Sequence, residues 1–352
     1  MRRNMNLNFT LNENSEIVQY CYDSVKSSCQ KRPYTISVRI LIYVFLWMTI
    51  IVTIVGNLLV IISISHFRVL HSPTNYFILS LAVVDLCLGG FIMPPVMVRS
   101  VETCWYFGEF FCKFHLSTLI MLCTASIIHL SVISIDRYYA VCHPLRYKTK
   151  ITLSVTVNII CTSWVLSAVL GFGIVFLELN LKGIEDFYNT NINCVGSCIL
   201  MQNEMSGLLS SLFSFYIPGF IMVCIYMKIF KVARRQARSI RDTARPTQIT
   251  EENGDSASSK REAKAAKTLA IVLGVFLICW SPFFVCNIID PFIHYTTSPL
   301  LIDTLSWFGL LNSTFNPIVY GFFYSWFRKA LKIILLGKIF QSNSSRIKLY
   351  AE

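Results

Sequence analysis

Residues 110–142 read FFCKFHLSTLIMLCTASIIHLSVISIDRYYAVC. Cys112 stands near the start of this apolar run and Asp136-Arg137-Tyr138 near its end. The run exceeds the about 20 apolar residues that a helix needs to cross a bilayer. It lacks the strict alternation of a barrel strand. Backbone groups in lipid must bond internally, so the run reads as a helix. Six further runs of the same kind give seven in all: 37–64, 74–99, 110–142, 153–177, 205–232, 264–292 and 299–324. The expected fold is an all-α membrane protein, a seven-transmembrane helix bundle. A chain of 352 residues that is 54% hydrophobic and 14% charged does not suit a soluble domain.

Lys and Arg set the orientation. Lys228, Lys231, Arg234, Arg235, Arg238, Arg241, Arg245, Lys260, Arg261, Lys264 and Lys267 cluster between spans five and six. Arg146, Lys148 and Lys150 come after span three, and Arg328, Lys329, Lys332 and Lys338 after span seven. The opposite loops carry Glu102, Glu109, Glu178, Glu185, Asp186 and Asp290. The positive-inside rule places the basic side in the cytoplasm and, with seven spans, the N-terminus outside. The net charge of +12 is thus a topology signal, and no nucleic-acid partner is expected. The chain divides into three regions: an extracellular tail at 1–36, the membrane domain at 37–324, and a cytoplasmic end at 325–352. Within the domain, 238–260 is polar and expected to be mobile. Residues 325–336 read as a short amphipathic helix on the inner lipid surface. Asn8 heads a glycosylation sequon on the outer side. The polar start lacks the apolar core of a cleavable signal peptide, so span one is expected to direct insertion.

The 13 cysteines fall in two settings. Seven lie within or beside spans and suit packing. Cys21, Cys29, Cys104, Cys112, Cys194 and Cys198 lie on the oxidising side, where bridges persist. A bridge from Cys112 to the loop before span five would draw that loop over the bundle as a lid. Spacing alone does not assign partners. Cys194 and Cys198 lack the second ligand pair that a zinc site requires.

Polar groups inside spans are costly and mark functional positions. Asp85 is the only carboxylate deep in a span. Ser126, Asn312 and Asn316 supply oxygens that either complete a small sodium cage around it or form a hydrogen-bonded packing node. Asp136-Arg137-Tyr138 closes span three, and Arg137 is within reach of Glu262 at the foot of span six. A breakable ion pair of that kind makes a bistable element. Pro282, after Trp280, and Pro317, after Asn316 and before Tyr320, each remove a helical hydrogen bond.

Asn57, Asp85, Asp136-Arg137-Tyr138, Trp164, Pro218, Cys279-Trp280-Ser281-Pro282 and Asn316-Pro317-Ile318-Val319-Tyr320 occur in order, one set per span. This pattern resembles the rhodopsin-like (class A) G-protein-coupled receptors over nearly the whole chain. Residues 306–317 (SWFGLLNSTFNP), 104–109 (CWYFGE), 134–141 (SIDRYYAV) and 337–340 (GKIF) are similar to the trace-amine-associated receptors. Residues 176–180 (FLELN) and 344–349 (SSRIKL) look most like the first subtype of that family. The resemblance implies a multi-pass plasma-membrane receptor for a small extracellular molecule. It implies coupling to a heterotrimeric G protein of the stimulatory class that raises cyclic AMP. It further implies bridges Cys112–Cys198 and Cys194 with Cys21, Cys29 being the second choice.

Members that bind amines carry an Asp seven residues after the cysteine of span three, and often a Tyr on span seven that bonds it. The matching residues here are Leu119 and Leu310, and Ser210 stands at the position on span five where some fish members carry the acid. An unpaired ammonium stripped of water costs several kcal/mol, for which leucine offers nothing. The ligand is therefore neutral or an atypical, weakly held amine, unless Glu204 or Asp303 nearer the mouth anchors it. The remaining pocket candidates are His115, Leu122 and Cys123; Ser211 and Ser214; Trp280, Phe283, Phe284 and Asn287; and Ser306. A transporter or channel is the alternative, but no inverted repeat or continuous polar path is visible. No nucleophile–base or metal constellation points to an enzyme. No cofactor is expected beyond allosteric sodium.

Overall fold

The computed structural model describes residues 19–32, 34–243 and 253–349. Among the described residues, seven long helices and one short helix make the bundle, with two further short helices, Pro144–Lys150 and Glu185–Asn191, in the loops. The bundle helices are α1 Ile36–His66, α2 Pro73–Glu102, α3 Glu109–Cys142, α4 Leu153–Phe176, α5 (Glu204–Ser211, a wide π turn at Leu212–Tyr216, then Ile217–Thr243), α6 Asn253–Phe292, α7 Pro299–Phe323 and α8 Ser325–Leu335. Their starts are written in the sequence. Ser72 caps α2 ahead of Pro73, and its hydroxyl accepts from the Asn75 N–H at 3.4 Å. Thr152 and Asn203 cap α4 and α5 in the same way.

Among the described residues, six helices are long and apolar enough to cross a membrane. The seventh, α7, carries Asn312, Ser313, Thr314 and Asn316, and all four are buried against the bundle. Large apolar side chains are exposed along α1, α4, α5 and α6, at Phe110 and Ile135 of α3, and at Leu300, Leu301, Ile318 and Phe322 of α7. α3 is the hub and packs on α2, α4, α5 and α6, while α7 closes the ring between α6 and α1. The expected mobile stretch 238–260 is helical at both ends, because α5 continues to Thr243 and α6 begins at Asn253. Residues 244–252 lie outside the described residues, as do Asn8 and the side chain of Glu262.

α3 and α4 approach each other very closely at Gly171. A Cβ there would lie 2.5 Å from the Ser117 carbonyl oxygen and 2.7 Å from the Met121 nitrogen, both rigid backbone. Gly171→Ala is expected to cost roughly 1–3 kcal/mol as an overpacking change. A lowered thermal midpoint of the purified protein checks this.

The disulfide-bonded end is more elaborate than expected. Cys112–Cys198 forms as anticipated. The other two bridges are Cys29–Cys194 and Cys21–Cys104, so the expected first choice of Cys21 for Cys194 is corrected. Backbone register is the reason. Cys29 N–H donates to the Val195 carbonyl at 3.0 Å, and Val195 N–H to Ser27 at 2.9 Å, which sets Cys29 beside Cys194. Tyr20 and Gln30 pair antiparallel, and this hairpin carries Cys21 to the far side. There it meets Gly196, whose φ of +102° and missing Cβ leave room for the Cys21 side chain. Gly196 in turn accepts from Trp105 N–H at 2.8 Å, next to Cys104.

At the opposite, basic end, α8 buries Trp326, Phe327 and Ala330. The chain then folds back. Leu349 is fully buried in the apolar cluster that includes Val60, Phe67, Leu70 and Trp326. The Ser344 hydroxyl donates to the Ile339 carbonyl at 2.6 Å and lies 2.9 Å from His66 Nε2.

Candidate functional site

The pocket candidates divide into an apolar floor, an aromatic wall and a polar rim. On the floor, Leu122 and Leu310 are buried in one cluster with Trp307 and Met97, and Leu119 and Cys123 pack against it half-buried. Leu119 and Leu310 thus meet the same apolar surroundings. The aromatic wall is continuous. Phe215 stacks on Phe284 at 4.7 Å, Phe283 meets Phe284 edge-on at 5.6 Å, and Trp280 meets Phe283 at 5.8 Å. Phe215 enters the wall from the π turn of α5, which inserts one extra residue and rotates the rest of that helix about its axis. Pro282 sits inside α6 within this wall.

The rim is a hydrogen-bonded set. Ser210 donates to Gln202 Oε1 at 2.8 Å, and the Asn287 amide donates to the Ser211 hydroxyl at 3.0 Å. Tyr295 donates to the Gln202 carbonyl at 2.9 Å. Burial and the nearby charges of Asp290 and Glu204 push the Tyr295 hydroxyl above its ordinary value, so it remains a donor at neutral pH. Ser306 bonds back to Ile302 in its own helix. Ser214 is half-buried.

Three candidates stand differently from the expectation. His115 is buried, with Nε2 3.2 Å from the Ile92 carbonyl and its ring among Phe91, Trp105 and Phe111. It packs beneath the first loop and does not stand open to a ligand. Asp303 is ion-paired with Arg99, whose other nitrogen donates to the Cys198 carbonyl at 2.6 Å. Ser100 joins this group by accepting from the Trp307 indole at 3.1 Å. Glu204 lies exposed in the first turn of α5. Neither acid presents a free buried carboxylate to the pocket.

Deeper in the bundle, the Asn316 amide donates to Asp85 Oδ2 at 2.7 Å. Asp85 Oδ1, Ser126 Oγ, Asn312 Oδ1 and Asn316 Oδ1 are buried without hydrogen-bond partners among the described residues. An oxygen-only set containing one carboxylate fits a small hard cation. Among the described residues, no three His, Cys, Asp or Glu side chains gather around a metal position.

At the basic end, Asp136 accepts from Arg137 Nη2 at 2.6 Å, Thr74 at 2.7 Å and Tyr147 at 2.8 Å. Burial and the Asp136 charge push the Tyr147 hydroxyl up to about 12, which keeps it protonated as a donor. Arg137 is thereby tied to its own neighbour, with Tyr138 packed beside it on His143. Tyr320 is fully buried, and its hydroxyl has no hydrogen-bond partner among the described residues. Thr74, Tyr147, Arg99, Gln202 and Phe215 belong to the site without having stood out in the sequence. Arg99 alone carried a signal, being a charged residue at the edge of a span.

A family model described as "7 transmembrane receptor (rhodopsin family)" matches residues 56–320. The chain is similar to trace amine-associated receptor 1 of Macaca mulatta, with 57% identity over 95% of this chain and 98% of the relative. Its human counterpart is 54% identical over 96% of this chain and 99% of the relative. Trace amine-associated receptor 13c of Danio rerio is 42% identical over 94% and 96%.

Proposed function

Because the chain belongs to the rhodopsin family of seven-transmembrane receptors, in its trace-amine-associated group, we propose that it senses a small extracellular molecule and activates a stimulatory heterotrimeric G protein. It is a multi-pass plasma-membrane receptor and not an enzyme. The disulfide-bonded end faces outward in this reading, in line with the oxidising side. The basic end, with Arg137 and the feet of α5 and α6, meets the G protein. The ligand is a neutral molecule or an atypical, weakly held amine.

One observation carries the ligand class. Leu119 and Leu310 belong to a common apolar cluster, and the acid nearest in sequence to Leu310 on α7, Asp303, is engaged by Arg99. An ammonium entering there would lose its hydration without gaining a carboxylate. A neutral ligand gains by filling the aromatic wall and bonding the rim. It activates only through its greater affinity for the state in which the foot of α6 has moved outward. Sodium held by Asp85, Ser126, Asn312 and Asn316 would favour the other state.

A cyclic AMP assay in transfected cells, run against amines and neutral volatiles, tests the function. Neutral volatiles are expected to evoke the larger response. Solute flux across vesicles without any G-protein response would replace this reading with a transporter or channel. The cation site has its own test. Sodium is expected to raise the thermal midpoint of the protein above that in a choline buffer, and Asp85→Asn to abolish the difference. An equal sodium effect in that variant would leave the buried oxygens as a packing node.

A further inference from the structure

Beyond α8 the chain turns back onto the basic end of the bundle. Gly337 (φ +67°) ends α8, Lys338–Phe340 form one turn, Asn343 (φ +66°) reverses the direction, and Ser344–Arg346 form a second turn. Glycine and asparagine adopt this left-handed backbone most readily. The Ser344–Arg346 turn packs on the Arg68–Leu70 turn between α1 and α2. Two side chains pin it there. Ser344 is 5% exposed and gives its single hydroxyl proton to the Ile339 carbonyl, so the His66 imidazole is the donor in the other contact. Leu349, fully buried, is the second pin. Between them Arg346, Ile347 and Lys348 stay exposed.

The cluster that takes Leu349 also holds Ile64 of α1, Leu70 of the turn, Trp326 and Ala330 of α8, and Tyr320 of α7. Tyr320 meets Tyr324 at 5.8 Å, and Tyr324 meets Trp326 at 5.5 Å, so ring contacts connect α8 with the end of α7. Pro317 stands one turn before Tyr320 and removes a helical hydrogen bond, which lets the end of α7 bend relative to the rest. In the described conformation Arg137 is held by Asp136, the resting arrangement of the receptor reading. There the Tyr320 hydroxyl is buried without a hydrogen-bond partner among the described residues. An orphaned hydroxyl favours any arrangement that gives it a partner. The resting state therefore needs an opposing contact at this end. A leucine taken fully out of water shifts an equilibrium by roughly 10- to 100-fold, enough to supply one.

We propose that residues 341–349 are an autoinhibitory brace: seated between the α1–α2 turn and α8, they hold the end of α7 in its resting position and keep ligand-free signalling low. The inference rests on the receptor reading above, but the hold on α7 is measurable without a G protein.

The test compares the full chain with its Leu349→Asp, Ser344→Ala and Ile347→Asp variants. Hydrogen exchange in nanodiscs reads the brace itself. Leu349→Asp is expected to speed exchange at 67–70 and 318–327 about tenfold, the lower end for a lost leucine seat, and to leave 104–112 unchanged. In transfected cells at matched surface expression it should raise ligand-free cyclic AMP about fivefold, an ordinary coupling between two sites. Ser344→Ala keeps the leucine and removes the hydroxyl contacts, so it should act in the same direction by about twofold. Ile347→Asp places the same charge at an exposed position and should change neither readout. Faster exchange at 67–70 without change at 318–327 would overturn the proposal, since the segment would then be a passive cover. An effect of Ile347→Asp equal to that of Leu349→Asp would overturn it too, assigning the result to charge alone. So would unchanged or lowered ligand-free cyclic AMP in Leu349→Asp, in cells where some compound of the screen raises it. If no compound raises it in any form, the receptor reading is what fails, and exchange at 318–327 still decides whether the segment holds α7.

Discussion

Leu119→Asp combined with Leu310→Tyr is expected to lower the half-maximal concentration for phenylethylamine-like primary amines by about 100-fold, the effect of a desolvated charge pair worth about 3 kcal/mol. The two positions belong to one apolar cluster, so each substitution alone leaves a polar group there without its partner. Leu119→Asp by itself should express poorly, because a buried carboxylate without donors is costly. Adding Leu310→Tyr supplies a hydroxyl, and the amine supplies the charge. Leu119→Asn with Leu310→Tyr tests whether shape alone suffices, and no gain is expected from it. The measurement is a cyclic AMP dose–response curve for each variant at matched surface expression. An unaltered receptor that already responds strongly to these amines, and keeps that response with Glu204→Gln and Asp303→Asn, would overturn the expectation.

Removing the Cys112–Cys198 bridge should have the second largest effect. The bridge joins the start of α3 to the loop before α5 across 86 residues. Loss of a native bridge costs roughly 2–5 kcal/mol. Here the cost has a second part, because the Cys198 carbonyl accepts from Arg99, which also holds Asp303 on α7. Freeing that loop therefore loosens α2 from α7 as well as from the lid. Cys112→Ser with Cys198→Ser should show the lowest thermal midpoint and surface expression of the three bridge deletions. Deleting Cys29–Cys194 should be milder, since it releases only the tail hairpin. If that deletion proves the more damaging, the central position given to the α3 bridge is wrong.

The seven spans are legible in the sequence because hydrocarbon imposes a length and a polarity on every helix that crosses it. The inward polar residues Asp85, Asn312 and Asn316 are legible for the same reason. What the sequence withholds depends on register between distant segments. Nothing local to Thr74 or Tyr147 announces that both will bond Asp136. The bridge partners of Cys21 and Cys29 depend on a hairpin of a few backbone hydrogen bonds, which no spacing rule predicts. Asp303 reads as a free acid until Arg99, a residue far away in sequence, is placed beside it.

The returned C-terminal segment bears on how this receptor should be handled. Leu349 is seated inside the protein, fully buried. A fluorescent protein or affinity handle joined directly after Leu349 would drag on that seat and on the turn between α1 and α2, whose Phe67 and Leu70 share its cluster. Reporter fusions therefore need a long flexible spacer, and energy-transfer signals from short ones would report the dislodged segment along with any change in the bundle.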